Sequence, residues 1–137
     1  MKEVVSKDQA TEEINGWLEW RKQTPTQIEA HADSIATLIE GVQYGMLTLK
    51  DNCFTQNLLF PAGKDGCLTE LQYESRVNSK MLEPYMKGVK PNDGDARLLS
   101  YLECMTAKTP LAAREILKTL DPADTRFSNS IVVFFLG

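Results

Sequence analysis

The chain predicts an α+β fold: an N-terminal helical hairpin, a small antiparallel β-meander and a C-terminal helical bundle. Three observations predict it. Capping residues followed by proline at Thr24-Pro25, Thr109-Pro110 and Asp121-Pro122 mark helix starts, because the first side chain accepts from an orphan amide and proline presets the next φ. Apolar residues recur at spacings of three and four early and late in the chain, whereas between Met46 and Tyr73 the period falls to two. Helices, then strands, then helices is the order of an α+β protein rather than of alternating α/β units.

The hairpin spans residues 8–45. Ile14, Trp17, Leu18 and Arg21 share one face of a helix from about Asp8 to Lys22. Thr24 with Gln27 has capping-box spacing, and Ile28, Ile35, Leu38, Ile39 and Val42 continue as one long helix from Pro25 to about Tyr44, stopped by Gly45. The meander spans 46–73. Leu47 and Leu49 form the first strand, Asp51-Asn52 the turn, Phe54 to Phe60 the second strand, Gly63 to Gly66 another turn, and Leu68 to Tyr73 the third strand. Leu58-Leu59-Phe60 breaks the alternation, which predicts that this end of the middle strand is covered on both faces. The last part spans 78–137. Asn78 or Ser79 caps a helix carrying Met81, Leu82, Tyr85, Met86 and Val89, which Pro84 should kink or restart. An acidic turn through Asp93 and Asp95 opens a helix with Leu98, Leu99, Leu102 and Met105 on one face. Helices from Pro110 to about Leu120 and from Asp121-Pro122 onward complete the order.

With 137 residues the chain fits one domain, 1–137, whose core needs no metal or disulfide staple. A net charge of -4 gives no electrostatic reason to bind a phosphate backbone, so no nucleic-acid partner is expected. Cys53, Cys67 and Cys104 form no CxxC pair and have only His31 to join them. Neither a disulfide framework nor a zinc site is signalled, and reduced cytoplasmic thiols fit. The N-terminus lacks a signal-peptide core, and no apolar run reaches the roughly 20 residues of a membrane span, so no membrane association is expected.

Candidate chemistry is sparse. His31 has no positioned nucleophile beside it in sequence and reads as a helix-surface residue. Gly63-Lys64-Asp65-Gly66 lacks P-loop spacing and reads as a turn. Asp93, Asp95, Asp121 and Asp124 lack the oxygen spacing of a calcium loop and read as helix caps. A polar cluster of Asp93, Asp95, Arg97 and Tyr101 is the enzyme alternative, but caps explain its carboxylates better; no catalytic, cofactor or metal residue is assigned. Trp17 falls on an apolar stripe and reads as core, whereas Trp20 falls off it and is open to a partner. The chain closes on Ile131-Val132-Val133-Phe134-Phe135-Leu136-Gly137. This run completes the core, docks on a partner, or continues into a longer product. Trp20, Ile131, Val132, Phe134, Phe135 and Leu136 are accordingly the candidate partner-binding residues.

The segment 68–137 resembles the tail assembly chaperones of contractile-tailed phages, the Mu-like group. The resemblance is carried by LTELQYESRV, PNDGDARLLSYLECMT, AAREILKTLDPAD and the closing SIVVFFLG. The hairpin 8–45 is not assigned to any part of that family. Membership implies a non-enzymatic protein of the infected host's cytoplasm that binds the tape-measure protein, keeps it soluble and assists recruitment of the tail-tube protein; it leaves homo-oligomer formation open. It also implies a longer form made by programmed frameshifting, and Phe134-Phe135-Leu136 is the translation that a T-TTT-TTG slippery sequence gives. The runner-up is another small intracellular binding or structural module without catalytic activity.

Overall fold

The computed structural model describes residues 1–63, 65–106 and 117–136. Among them, six helices flank a three-stranded antiparallel sheet of order β1-β2-β3, the α+β arrangement that the change of period predicts. The expected Thr109 cap and most of the expected helix from Pro110 to Leu120 lie outside the described residues.

Helix α1 (Lys7–Trp20) starts where the Ser6 hydroxyl accepts from the Gln9 amide, and it buries Ala10, Ile14, Trp17 and Leu18. Thr24 and Gln27 form the expected capping box, their reciprocal bonds measuring 2.9 and 3.2 Å. The long helix expected after it is two helices, α2 (Pro25–Ala30) and α3 (Ala32–Tyr44), because His31 leaves the helical region at φ -112° and ψ 28°. α2 buries nothing, and Ile28 is exposed, whereas α3 buries Leu38, Gly41 and Val42. Only α3 is oriented by the core, so the break lets it dock independently of the capped turn before it. Gly45, at φ 85°, ends α3 in a left-handed conformation open to glycine without a Cβ penalty.

Strand β1 (Leu47–Lys50) turns into β2 (Cys53–Ala62) through Asp51 and Asn52, both at positive φ (52° and 63°), the two-residue geometry whose twist matches a hairpin. β3 (Leu68–Gln72) pairs with the other edge of β2. Helix α4 (Ser79–Met86), capped by Asn78, runs through Pro84 as one element and stops two residues later rather than restarting. α5 (Gly94–Met105) is capped by Asp93, and α6 (Pro122–Val132) by Asp121, whose carboxylate accepts from the Ala123 amide at 2.9 Å.

α1 packs on α3, and α6 packs on α3, β2 and α5, so the last helix joins the first half of the chain to the second. Trp17 lies at the centre: its ring meets Phe54 at 4.9 Å and Phe134 at 5.4 Å, both edge to face. Gly41 allows α3 to approach β1 and α6. A Cβ there would lie 2.7 Å from Leu47 Cδ1 and 3.1 Å from Phe127 Cδ1, and both side chains are fully packed. Gly41→Ala should therefore destabilise the fold by about 2 kcal/mol despite alanine's better helix propensity, which a urea midpoint at unchanged m-value would register.

Candidate partner-binding site

The placement of the C-terminal run depends on how α6 is held against the sheet. From Asn57↔Glu70 to Ala62↔Leu68, β2 advances five residues while β3 advances two, and β1 pairs no farther than Gln56. The excess chain leaves the Leu59 and Phe60 amides without strand partners. Asp124, in the first turn of α6 and fully buried, takes both: Oδ1 accepts from Leu59 N at 2.7 Å and Oδ2 from Phe60 N at 3.0 Å. A helix N-terminus also favours a carboxylate. Asp124 is thus not the helix cap that its spacing suggests; Asp121 caps, and Asp124 reaches across to the sheet. Leu59 and Phe60 are 37% and 54% exposed, so this end of β2 is not covered on both faces: the bulge turns these side chains outward while their amides meet Asp124.

Behind the carboxylate lies a polar group closed to solvent. Gln56 Nε2 donates to the Asp124 carbonyl at 2.8 Å, and Gln56 Oε1 accepts from the Tyr73 hydroxyl at 2.7 Å and the Ser128 hydroxyl at 2.9 Å. The two hydroxyl oxygens are 2.9 Å apart. Burial pushes the Tyr73 hydroxyl well above the ordinary tyrosine range, with the Asp124 charge adding to the rise and the Ser128 bond opposing it. Every member has a partner, so the network locates β2, β3 and α6 relative to one another.

With α6 fixed this way, the closing residues separate into two sets. Phe127, Ile131 and Phe134 fall on one face, and Ile131, Val132 and Phe134 are buried in the chain's own core. These three, expected among the partner-binding residues, are withdrawn from the surface: α6 packs on α3, β2 and α5, and the Phe134 ring meets Trp17. Phe135 is half-buried against the core, Leu136 is 37% exposed, and Trp20 is half-buried.

Two arginines organise what remains outside. Arg21 lies four residues after Trp17 and so on the same helix face; its guanidinium carbon sits 5.5 Å from the Trp17 ring centre and 3.9 Å from that of Phe135. Nη1 donates to the Ser75 carbonyl and Nη2 to the Phe134 carbonyl, each at 3.1 Å, while the buried Nε has no partner. Arg21 thereby joins the end of α1, the segment after β3 and the end of α6. Burial first, and the charge of Arg76 second, lower its pKa. Arg76 is exposed, with its guanidinium carbon 4.7 Å from the Trp20 ring centre. Trp20, Arg21, Arg76 and Phe135 make a surface patch in which each outer aromatic ring carries a guanidinium, and the exposed Leu136 follows Phe135 in the chain.

The sequence signal for Arg21 was its i+4 spacing from Trp17, which marks a shared face but not the residues that α6 brings over it. Arg76 had no local signal. His31 is partly exposed between α2 and α3, and its ring meets Phe134 edge to face at 5.2 Å. Asp93 accepts from the Ala96 amide as a cap, and Asp95 is exposed in the first turn of α5. Cys53, Cys67 and Cys104 are free thiols; Cys104 Sγ donates to the Met81 carbonyl, and burial, then Glu74 and Glu103, raise its pKa. Among the described residues no three His, Cys, Asp or Glu side chains gather to hold a metal ion, and no helix is long and apolar enough to cross a membrane. Compared with known proteins, the chain matches no family model, no curated protein and no solved structure.

Asp124→Asn replaces one acceptor by an N–H group that faces an amide donor, and should cost about 3 kcal/mol in chemical denaturation, as for a lost charge-assisted bond plus an unsatisfied donor. The raised folded-state pKa of Tyr73 has a definite sign. Below the unfolded value both states hold the phenol proton; above about pH 10 the unfolded state loses it first and stability falls, at most about 1.4 kcal/mol per pH unit. Melting curves between pH 8 and 11 should show a shallower alkaline decline in Tyr73→Phe than in the parent chain.

Proposed function

We propose that this protein is a non-enzymatic phage tail assembly chaperone that binds the tape-measure protein, keeps it soluble in the cytoplasm of the infected bacterium and assists addition of the tail-tube protein. Two lines support the reading. The first is the resemblance of the segment 68–137. The second, which carries the binding half, is the patch of Trp20, Arg21, Arg76, Phe135 and Leu136. Tryptophan and arginine dominate the energetically important centres of protein interfaces, and half-buried aromatic rings held by guanidiniums lose little entropy on contact.

The frameshifted longer form fits the same geometry. Ile131, Val132 and Phe134 precede or lie at the slip site and are core, so both products would share a complete α6 and diverge from the edge of the patch.

Co-expression with segments of the tape-measure protein tests the proposal. The chain should hold an otherwise insoluble segment in the supernatant, and Leu136→Asp or Trp20→Ala should weaken capture by ~2 kcal/mol, roughly thirtyfold, at an unchanged unfolding midpoint for Leu136→Asp. A tape-measure segment whose solubility is the same with and without the chain would refute the chaperone role.

A further inference from the structure

Among the described residues the patch contains two cations and no anion. Arg21 directs both terminal nitrogens at neutral carbonyls, those of Ser75 and Phe134, and Arg76 rests on Trp20. Among the described residues neither guanidinium has a carboxylate at ion-pair distance, although the chain holds 19 acidic residues against 15 basic ones. Two like charges gathered beside exposed apolar surface on an acidic protein are unfavourable for the free chain. The Arg76 charge contributes to the lowered Arg21 pKa, consistent with that repulsion.

We infer that the patch receives a partner polypeptide segment in which one Asp or Glu is flanked by apolar side chains, Arg76 binding the carboxylate while Trp20, Phe135 and Leu136 take its apolar neighbours. Charge complementarity identifies the occupant. A single carboxylate relieves the arginine pair, and Arg76 is the exposed member able to meet it. An acidic tract is disfavoured, because beyond the Debye length of about 8 Å screening hides the patch, and nearer in the net charge of -4 opposes further anions. Arg21 acts from beneath as a positioning residue: its bonds to Ser75 and Phe134 hold the segment bearing Arg76 and the end of α6 at one spacing. This inference rests on the patch being the contact surface of the proposed function, and not on the tape-measure protein being the client.

The test selects binders from a displayed library of amphipathic helical peptides against the immobilised full chain. A selected peptide and its Glu→Gln or Asp→Asn counterpart are then titrated into isotope-labelled protein, with the Trp20 indole N–H followed by NMR. Selected sequences should place one acidic residue among apolar ones, shift the Trp20 signal, and bind about tenfold more tightly than their amide counterparts. That ratio should fall to near unity in Arg76→Gln, an exposed substitution whose folding is verified by its unfolding midpoint, while Arg76→Lys keeps part of it. Binders without an acidic residue, equal affinity of acid and amide, or an undiminished ratio in Arg76→Gln would overturn the inference. So would inorganic phosphate producing the full Trp20 shift when no peptide does. The two readings fail separately: tape-measure capture undiminished in Arg76→Gln removes this one alone, while acidic peptides that bind when the tape-measure protein does not remove the chaperone assignment alone.

Discussion

The contact between the Asp124 carboxylate and the Leu59 and Phe60 amides holds the structure together in a specific sense. The β2 bulge strands two backbone donors where neither β1 nor β3 can reach them. Left unpaired beside the core, each would cost on the order of 1–3 kcal/mol. A single side chain from a helix far along the chain satisfies both, so the bulge and the docking of α6 require each other. Gln56, Tyr73 and Ser128 extend the contact inward, and each of these buried polar side chains has a partner within the group. An apolar interface between α6 and the sheet could slide; this one has a register.

That register decides what the apolar C-terminal run does. Once Asp124 is seated, Phe127, Ile131 and Phe134 follow at helical spacing toward α3 and Trp17, where the edge-to-face contacts of Trp17 with Phe54 and Phe134 join the two halves of the chain. Gly41 contributes by leaving room for Leu47 and Phe127. Phe135 and Leu136 lie beyond the covered face, and the Arg21 guanidinium stacks on the Phe135 ring. The division between core and surface in this run therefore follows from helix geometry, since all its members are about equally apolar.

The patch formed at that boundary is assembled from the end of α1, the segment after β3 and the end of α6. Arg21 reaches the carbonyls of the second and third of these, so it holds the patch together as well as charging it. Its partnerless Nε and its proximity to Arg76 are local costs that the surrounding fold tolerates. A buried donor without an acceptor and a like-charge pair gathered in one place are the kind of local conflict that natural folds retain at functional surfaces. This is the physical ground for proposing the patch, rather than the more exposed Phe60 or Met81, as a contact surface.

What the sequence by itself determined is local. Capping at Thr24, Asn78, Asp93 and Asp121, the left-handed stop at Gly45, the Asp51-Asn52 turn and the change of period from helix to strand each depend on residues within a turn or two of one another, and each was legible for that reason. The single long helix from Pro25 was misread because periodicity does not reveal that α2 buries no residue while α3 docks on the core. Asp124 was misread as a cap because a first-turn aspartate looks the same whether it bonds its own helix or a strand 65 residues earlier. The terminal run was legible as apolar and no further. Which of Ile131 to Leu136 would be covered, that Arg21 would lie between Trp17 and Phe135, and that Arg76 would rest on Trp20 were decided only by the tertiary structure, because these contacts join segments that no local pattern relates and that only the docking of α6 on β2 and α3 brings together.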